Sequence, residues 1–142
     1  MAGKLVLPRV HVMVMCDEIA DHPGEEYVYD LHGVRSEIHA IDFPYRHSRL
    51  CVFLHLTGHE GTASLHVLVI QAETDAEVYS VLPVPVEFQG PNVVIPLGFW
   101  LDDCVFRSLG VYYVQVFHGS KLICERALHL LGGMGSPNGQ DT

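Results

Sequence analysis

Positive charge is scarce in this chain. Eight Lys and Arg stand against seventeen Asp and Glu, for a net charge of −9. No basic cluster interrupts that balance. Nucleic acid and anionic membrane surfaces, which are bound chiefly through Lys and Arg, are therefore not expected partners. Long apolar runs are missing too. A membrane helix needs roughly 18 or more apolar residues in succession, and none occurs. The N-terminal run is broken by Pro8, Arg9 and His11 and reads as a strand rather than a signal peptide. No CxxC is present. The four cysteines, Cys16, Cys51, Cys104 and Cys124, lie far apart among apolar neighbours. They are expected to be buried, reduced, slowly reacting thiols in a reducing cytoplasm. The GxSxG, P-loop, GxGxxG and HExxH patterns are all absent, so nucleophile-elbow, nucleotide-binding and zinc-protease readings have no motif behind them. No stretch sustains a helical period.

What is present is apolar residues at 49%, charged residues at 18%, and frequent turns. That composition is globular, and a chain of this length buries roughly 68–70% of its unfolded surface without needing a disulfide or a metal. Period-two alternation predicts a first strand at 9–16, with Val10, Val12, Val14 and Cys16 on one face and Met13 and Met15 on the other. Further strands are expected at 27–31, 34–41, 78–82 and 93–97; 98–101 reads as strand or a helical turn, and 102–106 leads into the closing hairpin. Pro83 and Pro85 confine 84–88 to an edge, and Phe43-Pro44 forces an extended backbone. The stretches 48–57 and 63–71 read as a hairpin closed by Gly58-His59-Glu60-Gly61. In that pairing Leu56, Leu54 and Val52 face Leu65, Val67 and Val69, while His55 faces His66 and Phe53 faces Leu68. About eight strands result. The fold class is all-β, a single-domain antiparallel β-sandwich of immunoglobulin-like kind, with a lead-in at 1–8, the domain at 9–131 and a disordered tail at 132–142.

The closing stretch carries the most local information. Runs at 111–117 and 122–131 flank His118-Gly119-Ser120-Lys121, and Gly before Ser suits a two-residue type II′ turn. Gly110 stands two before Tyr112, and Tyr112 two before Val114. That spacing matches a tyrosine corner, in which a buried Tyr bonds back to the preceding backbone. A two-residue turn sets Val116 opposite Ile123, against the alternation of Leu122, Cys124, Leu128 and Leu130. A one-residue slip turns a whole strand over, so a longer loop or a bulge must restore register.

Cys16-Asp17 after the first strand, Gly33 after the second, Phe43-Pro44, and Gly110-Val111-Tyr112 before the closing hairpin together resemble a bacterial family of small uncharacterised β-sandwich proteins, over about residues 10–131. The resemblance implies the sandwich fold and a cytoplasmic setting. That family has no assigned activity, so no catalytic residue is implied.

Ten histidines invite a metal reading. If His55 and His66 are cross-strand neighbours, they lie close enough to share a zinc ion, with His59 or Glu60 of the loop as a third ligand. An ordinary half-buried pair fits the same residues. Asp17-Glu18 and Asp102-Asp103 are adjacent carboxylates; on a strand they would point to opposite faces and form no acid–base dyad, and both are expected in solvated turns. Trp100 offers a stacking surface for a small ligand or sugar, or is a core or interface residue. A central hairpin apolar on both faces needs cover on both. The expected function is therefore a non-enzymatic binding or assembly module. It is expected to be a homo-oligomer, or to bind a protein partner, through a face containing Phe53 and Leu68. A metal-dependent enzyme is the rival.

Overall fold

The computed structural model describes residues 7–58 and 60–132, with the side chain of Glu60 outside that set. Eleven strands are found among the described residues: β1 (Arg9–Cys16), β2 (Glu18–Asp21), β3 (Tyr29–His32), β4 (Glu37–Ala40), β5 (Tyr45–Thr57), β6 (Glu60–Gln71), β7 (Glu77–Ser80), β8 (Val84–Gln89), β9 (Ile95–Phe106), β10 (Gly110–His118) and β11 (Lys121–Gly132). The expected eight were too few: β3 and β4 overlap the strands expected at 27–31 and 34–41, whereas β2 has no expected counterpart. The stretch 98–101 is strand, not a helical turn. The tail expected at 132–142 falls outside the described residues except for Gly132, which ends β11.

Two sheets enclose the core. The smaller runs β1-β5-β9; the larger runs β4-β11-β10-β6-β7, with β8 also on β6. β2 and β3 form a separate two-stranded ribbon. All pairs are antiparallel except β4 with β11, which is parallel.

The expected hairpin of β5 with β6 does not exist. β5 pairs with β1 and β9, and β6 with β10, β7 and β8. The chain instead crosses from one sheet to the other at Gly58, where the Phe88 ring would stand 3.0 Å from any added Cβ. The alternation was read correctly and the partnership was not. Leu50, Val52, Leu54 and Leu56 meet Leu65, Val67 and Val69 across the core, all fully buried, instead of side by side in one sheet. β1 keeps the expected alternation from Val12 on. Met13 and Met15 face the core, whereas Val12, Val14 and Cys16 take the outer face; the bulge between Val10 and Val12 leaves Val10 packed on the core side. Both faces of β1 are apolar, so alternation alone could not orient it.

β5 and β9 turn over together partway along. Leu50 and Leu101 face inward, and the next inward residues are His47 and Cys104, three positions on. Ser48, Arg49, Asp102 and Asp103 between them are all exposed. Asp103 has φ +58°, a left-handed conformation that Asp tolerates better than most residues. Asp102 and Asp103 are solvated as expected, but within β9 rather than in a turn. They receive Arg49 and Arg46 at 3.2 and 3.6 Å.

The closing hairpin keeps the two-residue turn, with His118 opposite Lys121 and Gly119 at φ +57°. A bulge at Ile123 then resets the register, so that Val116 meets Cys124 and Tyr112 meets Leu128. Tyr112 is 1% exposed, and its hydroxyl donates to the Ser108 carbonyl at 2.8 Å. Its ring meets Phe106 edge-on at 5.0 Å. This is the tyrosine-corner geometry, with Gly110 at φ +130° supplying the bend before it.

Candidate functional site

Polar side chains converge at the end of β1. Asp17 follows the last residue of that strand, and its backbone N–H donates to the His32 carbonyl of β3 at 2.9 Å. Its carboxylate accepts from Arg35 Nε at 2.9 Å and again from the second guanidinium nitrogen. His47 Nε2 approaches the same Oδ1 at 3.0 Å, and the Tyr45 hydroxyl meets His47 Nδ1 at 3.1 Å. A neutral imidazole protonated on Nε2, donating to Asp17 and accepting from Tyr45, satisfies both contacts. Gly33 sits against this carboxylate with φ +68°. A Cβ there would lie 2.6 Å from Oδ2, so both the backbone conformation and the close approach demand glycine.

Burial works against ionisation of Asp17, but the hydrogen bonds from Arg35 and His47 outweigh it and hold the carboxyl below its ordinary value. Four chain segments are thereby tied together: the end of β1, the Gly33–Arg35 turn, β3 and the start of β5. Three features of the family resemblance, Cys16-Asp17, Gly33 and the cis Phe43-Pro44 peptide leading into Tyr45, meet here. Arg35 and His47 were not singled out from sequence. Each is an ordinary residue locally, and nothing in its own neighbourhood announces a partner some 18 or 30 positions away.

The cluster holds a charge and offers no nucleophile. Both ring nitrogens of His47 are engaged. The nearby thiols of Cys16 and Cys51 point at the carbonyls of Glu18 and Asp17, at 3.5 and 3.6 Å. Burial raises both of these thiols, Cys51 to about 11, and also the Cys104 thiol, to about 12, so all three stand protonated and weakly nucleophilic.

The β2–β3 ribbon lies beside this cluster and over the outer face of the small sheet. Tyr29 packs on Phe53 with ring centroids 5.8 Å apart. Ile19 reaches Gly98, where its Cδ1 and the Trp100 ring leave no room for a Cβ. Phe53, expected at a contact between subunits, is thus covered by its own chain and is 7% exposed. Trp100 folds over Gly98 and remains 46% exposed.

The expected metal ligands are not brought together. His55 projects from the outer face of the small sheet, opposite Val12 and Pro96, and packs on Phe53 at 5.1 Å. His66 projects from the outer face of the large sheet and stacks flat on Phe117 at 5.2 Å, its Nδ1 buried without a partner. The two imidazoles are on opposite sides of the sandwich and share no ion. His59 and the Glu60 side chain lie outside the described residues. Among the described residues no group of three or more His, Cys, Asp and Glu is placed to hold a metal.

Leu68 separates from Phe53 in the same way. It sits on the outer face of the large sheet, in register with Gln115 and Ser80. Around it, His66, Ile70, Val111, Tyr113 and Phe117 are all half-buried. Gln115 donates to Glu125 at 3.0 Å beside them, and Leu122 is exposed at the rim.

A two-sheet, mainly antiparallel sandwich closed by a tyrosine corner defines an immunoglobulin-like β-sandwich. Residues 11–131 match the family of unknown function DUF6941, and the chain belongs to that family. No curated protein matches the sequence. Among solved structures, the chain is similar to an immunoglobulin-like protein from Pseudomonas aeruginosa, at 14% identity and a TM-score of 0.49, over 90% of this chain and 99% of that one. It is also similar to a β-glucosidase from Listeria innocua solved with isofagomine, at 12% identity and a TM-score of 0.50, over 92% of this chain but 17% of the enzyme. At these identities the likeness concerns the fold. No helix among the described residues is long and apolar enough to cross a membrane.

Proposed function

We propose that this protein is a cytoplasmic binding or assembly module without catalytic activity of its own. It pairs with a second copy through the outer face of the large sheet. One observation carries the reading: His66, Leu68 and Ile70 of β6 lie in register beside Phe117, Gln115 and Tyr113 of β10, and among the described residues no strand lies over them, whereas the other outer face has the β2–β3 ribbon. A two-fold axis through that row buries the same apolar patch twice, the commonest arrangement of soluble homo-oligomers. The free state of all four cysteines supports the cytoplasmic setting.

Light scattering coupled to size exclusion, over a range of protein concentrations, tests the pairing. The parent chain is expected to run as a dimer and the Leu68→Glu variant as a folded monomer. A parent that stays monomeric at every accessible concentration refutes the reading.

A further inference from the structure

Cys16 of β1 and Cys51 of β5 are register partners in an antiparallel ladder. Their side chains therefore project to the same face. Directly opposed residues in such a ladder have Cα atoms about 4.5–5.5 Å apart, within the roughly 4.4–6.8 Å that a disulfide bridges. Neither sulfur shows any solvent exposure, and the start of the β2–β3 ribbon supplies carbonyl acceptors to both. The other two cysteines have no such neighbour, since Cys104 stands opposite His47 and Cys124 opposite Val116.

We propose that Cys16 and Cys51 are an oxidisable pair, converted by hydrogen peroxide into an intramolecular disulfide that locks β1 to β5 beneath the β2–β3 ribbon. In the first step one thiol gives up its proton and its sulfur attacks a peroxide oxygen. The O–O bond breaks, and the departing hydroxide takes the proton and leaves as water. The second sulfur then attacks the sulfenic sulfur; the S–S bond forms, the S–O bond breaks, and a second water departs with the remaining thiol proton. The pair supplies two electrons and the peroxide accepts both.

The geometry also sets the rate. Raised thiols at full burial react slowly while the ribbon is seated, so oxidation waits on its lifting. Asp17, which anchors β3 through His32 and the adjoining turn through Arg35, controls how often that happens. Loosening this anchor exposes the pair and speeds its oxidation, while the Cys104 and Cys124 thiols keep their own slow rates.

The test treats the reduced full chain with hydrogen peroxide under native conditions, then denatures it and counts thiols. The count is expected to fall from four to two, with a loss of two hydrogens from the intact mass and a single cross-linked peptide joining Cys16 to Cys51. Trp100 is the cross-strand neighbour of Cys51 on β9 and the only tryptophan. A disulfide beside an indole quenches it, so fluorescence should fall in step with the thiol count. Cys16→Ser and Cys51→Ser are each expected to abolish the quench, and Cys104→Ser to leave it intact. Asp17→Asn is expected to raise the rate several-fold. Four thiols surviving treatment that oxidises the unfolded chain would overturn the proposal. So would a linkage mapped to any other pair, or sulfinic acid without a cross-link. Should a serine variant fail to fold, the peptide map of the parent chain decides alone.

Discussion

The two outer faces of the sandwich have been finished differently. Over the small sheet, β2 and β3 lay Ile19 and Tyr29 onto Gly98 and Phe53, and the Asp17 cluster pins that cover at its end. Over the large sheet a comparable apolar row is left half-buried, with a polar Gln115–Glu125 pair set into it. Apolar outer residues on a sheet can thus be covered within the chain or left half-buried, and only the tertiary arrangement tells which. Phe53 and Leu68 look equivalent as strand residues, yet Phe53 is buried under Tyr29 and Leu68 stays half-buried on an outer face.

The sharpest way to break the comparison is to put a charge on each face in turn. Phe53→Glu places a carboxylate under Tyr29 without a partner and should cost roughly 3–5 kcal/mol, the range for an uncompensated buried charge. Leu68→Glu should change stability far less. Urea denaturation of the two variants gives the contrast directly, and equal losses would mean that the faces do not differ.

Next in size is Tyr112→Ala, which removes a fully buried ring and its bond to Ser108. It should destabilise by about 3 kcal/mol, whereas Tyr112→Phe should lose about 1 kcal/mol, the worth of one hydrogen bond. A Phe variant as damaged as the Ala variant would show that the hydroxyl, rather than the packing, holds the corner. Because this site lies in the core, it calibrates how much of the Phe53 effect is specific to the covered face.

The smallest effect sharpens the anchor of the cover. Asp17 has a lowered pKa in the folded chain, while the unfolded chain protonates it near its ordinary value of about 4. The anchor's contribution is therefore fully present above that ordinary value and is lost as pH falls through the folded one. Stability should drop more steeply on acidification for the parent chain than for Asp17→Asn, whose difference from the parent should shrink toward zero in acid. A pH-independent gap between the two would mean that Asp17 contributes through shape rather than charge.

How much of this was readable from sequence follows from how local each feature is. The closing hairpin was legible, including its turn and the need for a bulge, because Gly119, Tyr112 and the apolar positions of β11 lie within one stretch. The sandwich class was legible because alternation and turn residues recur along the chain. The partnership of β5 was not, since alternation is the same whether Leu54 and Val67 sit side by side or face each other across a core. The one local sign was Gly58, whose need for glycine comes from Phe88, thirty residues on. The His55–His66 site fell with that pairing, because it depended on the two residues sharing one sheet. The Asp17 cluster was legible only in part. Asp17 and Gly33 stood out by their family spacing, but Arg35 and His47 gain meaning only when four segments meet.

The crossing at Gly58 also bears on how the chain reaches its fold. Had β5 and β6 closed as a hairpin, the middle of the sequence could have ordered itself from near neighbours. As built, β5 gains its ladders only from distant strands: Val52 must find Met15 on one side, and Leu50 must find Leu101 on the other. Closing such long loops costs entropy before any contact repays it, and sandwiches dominated by distant pairings fold in roughly milliseconds to seconds. The β10–β11 hairpin, closed by two residues, is the natural early structure onto which β6 adds. The small sheet, and with it the cover over Phe53, is then assembled late.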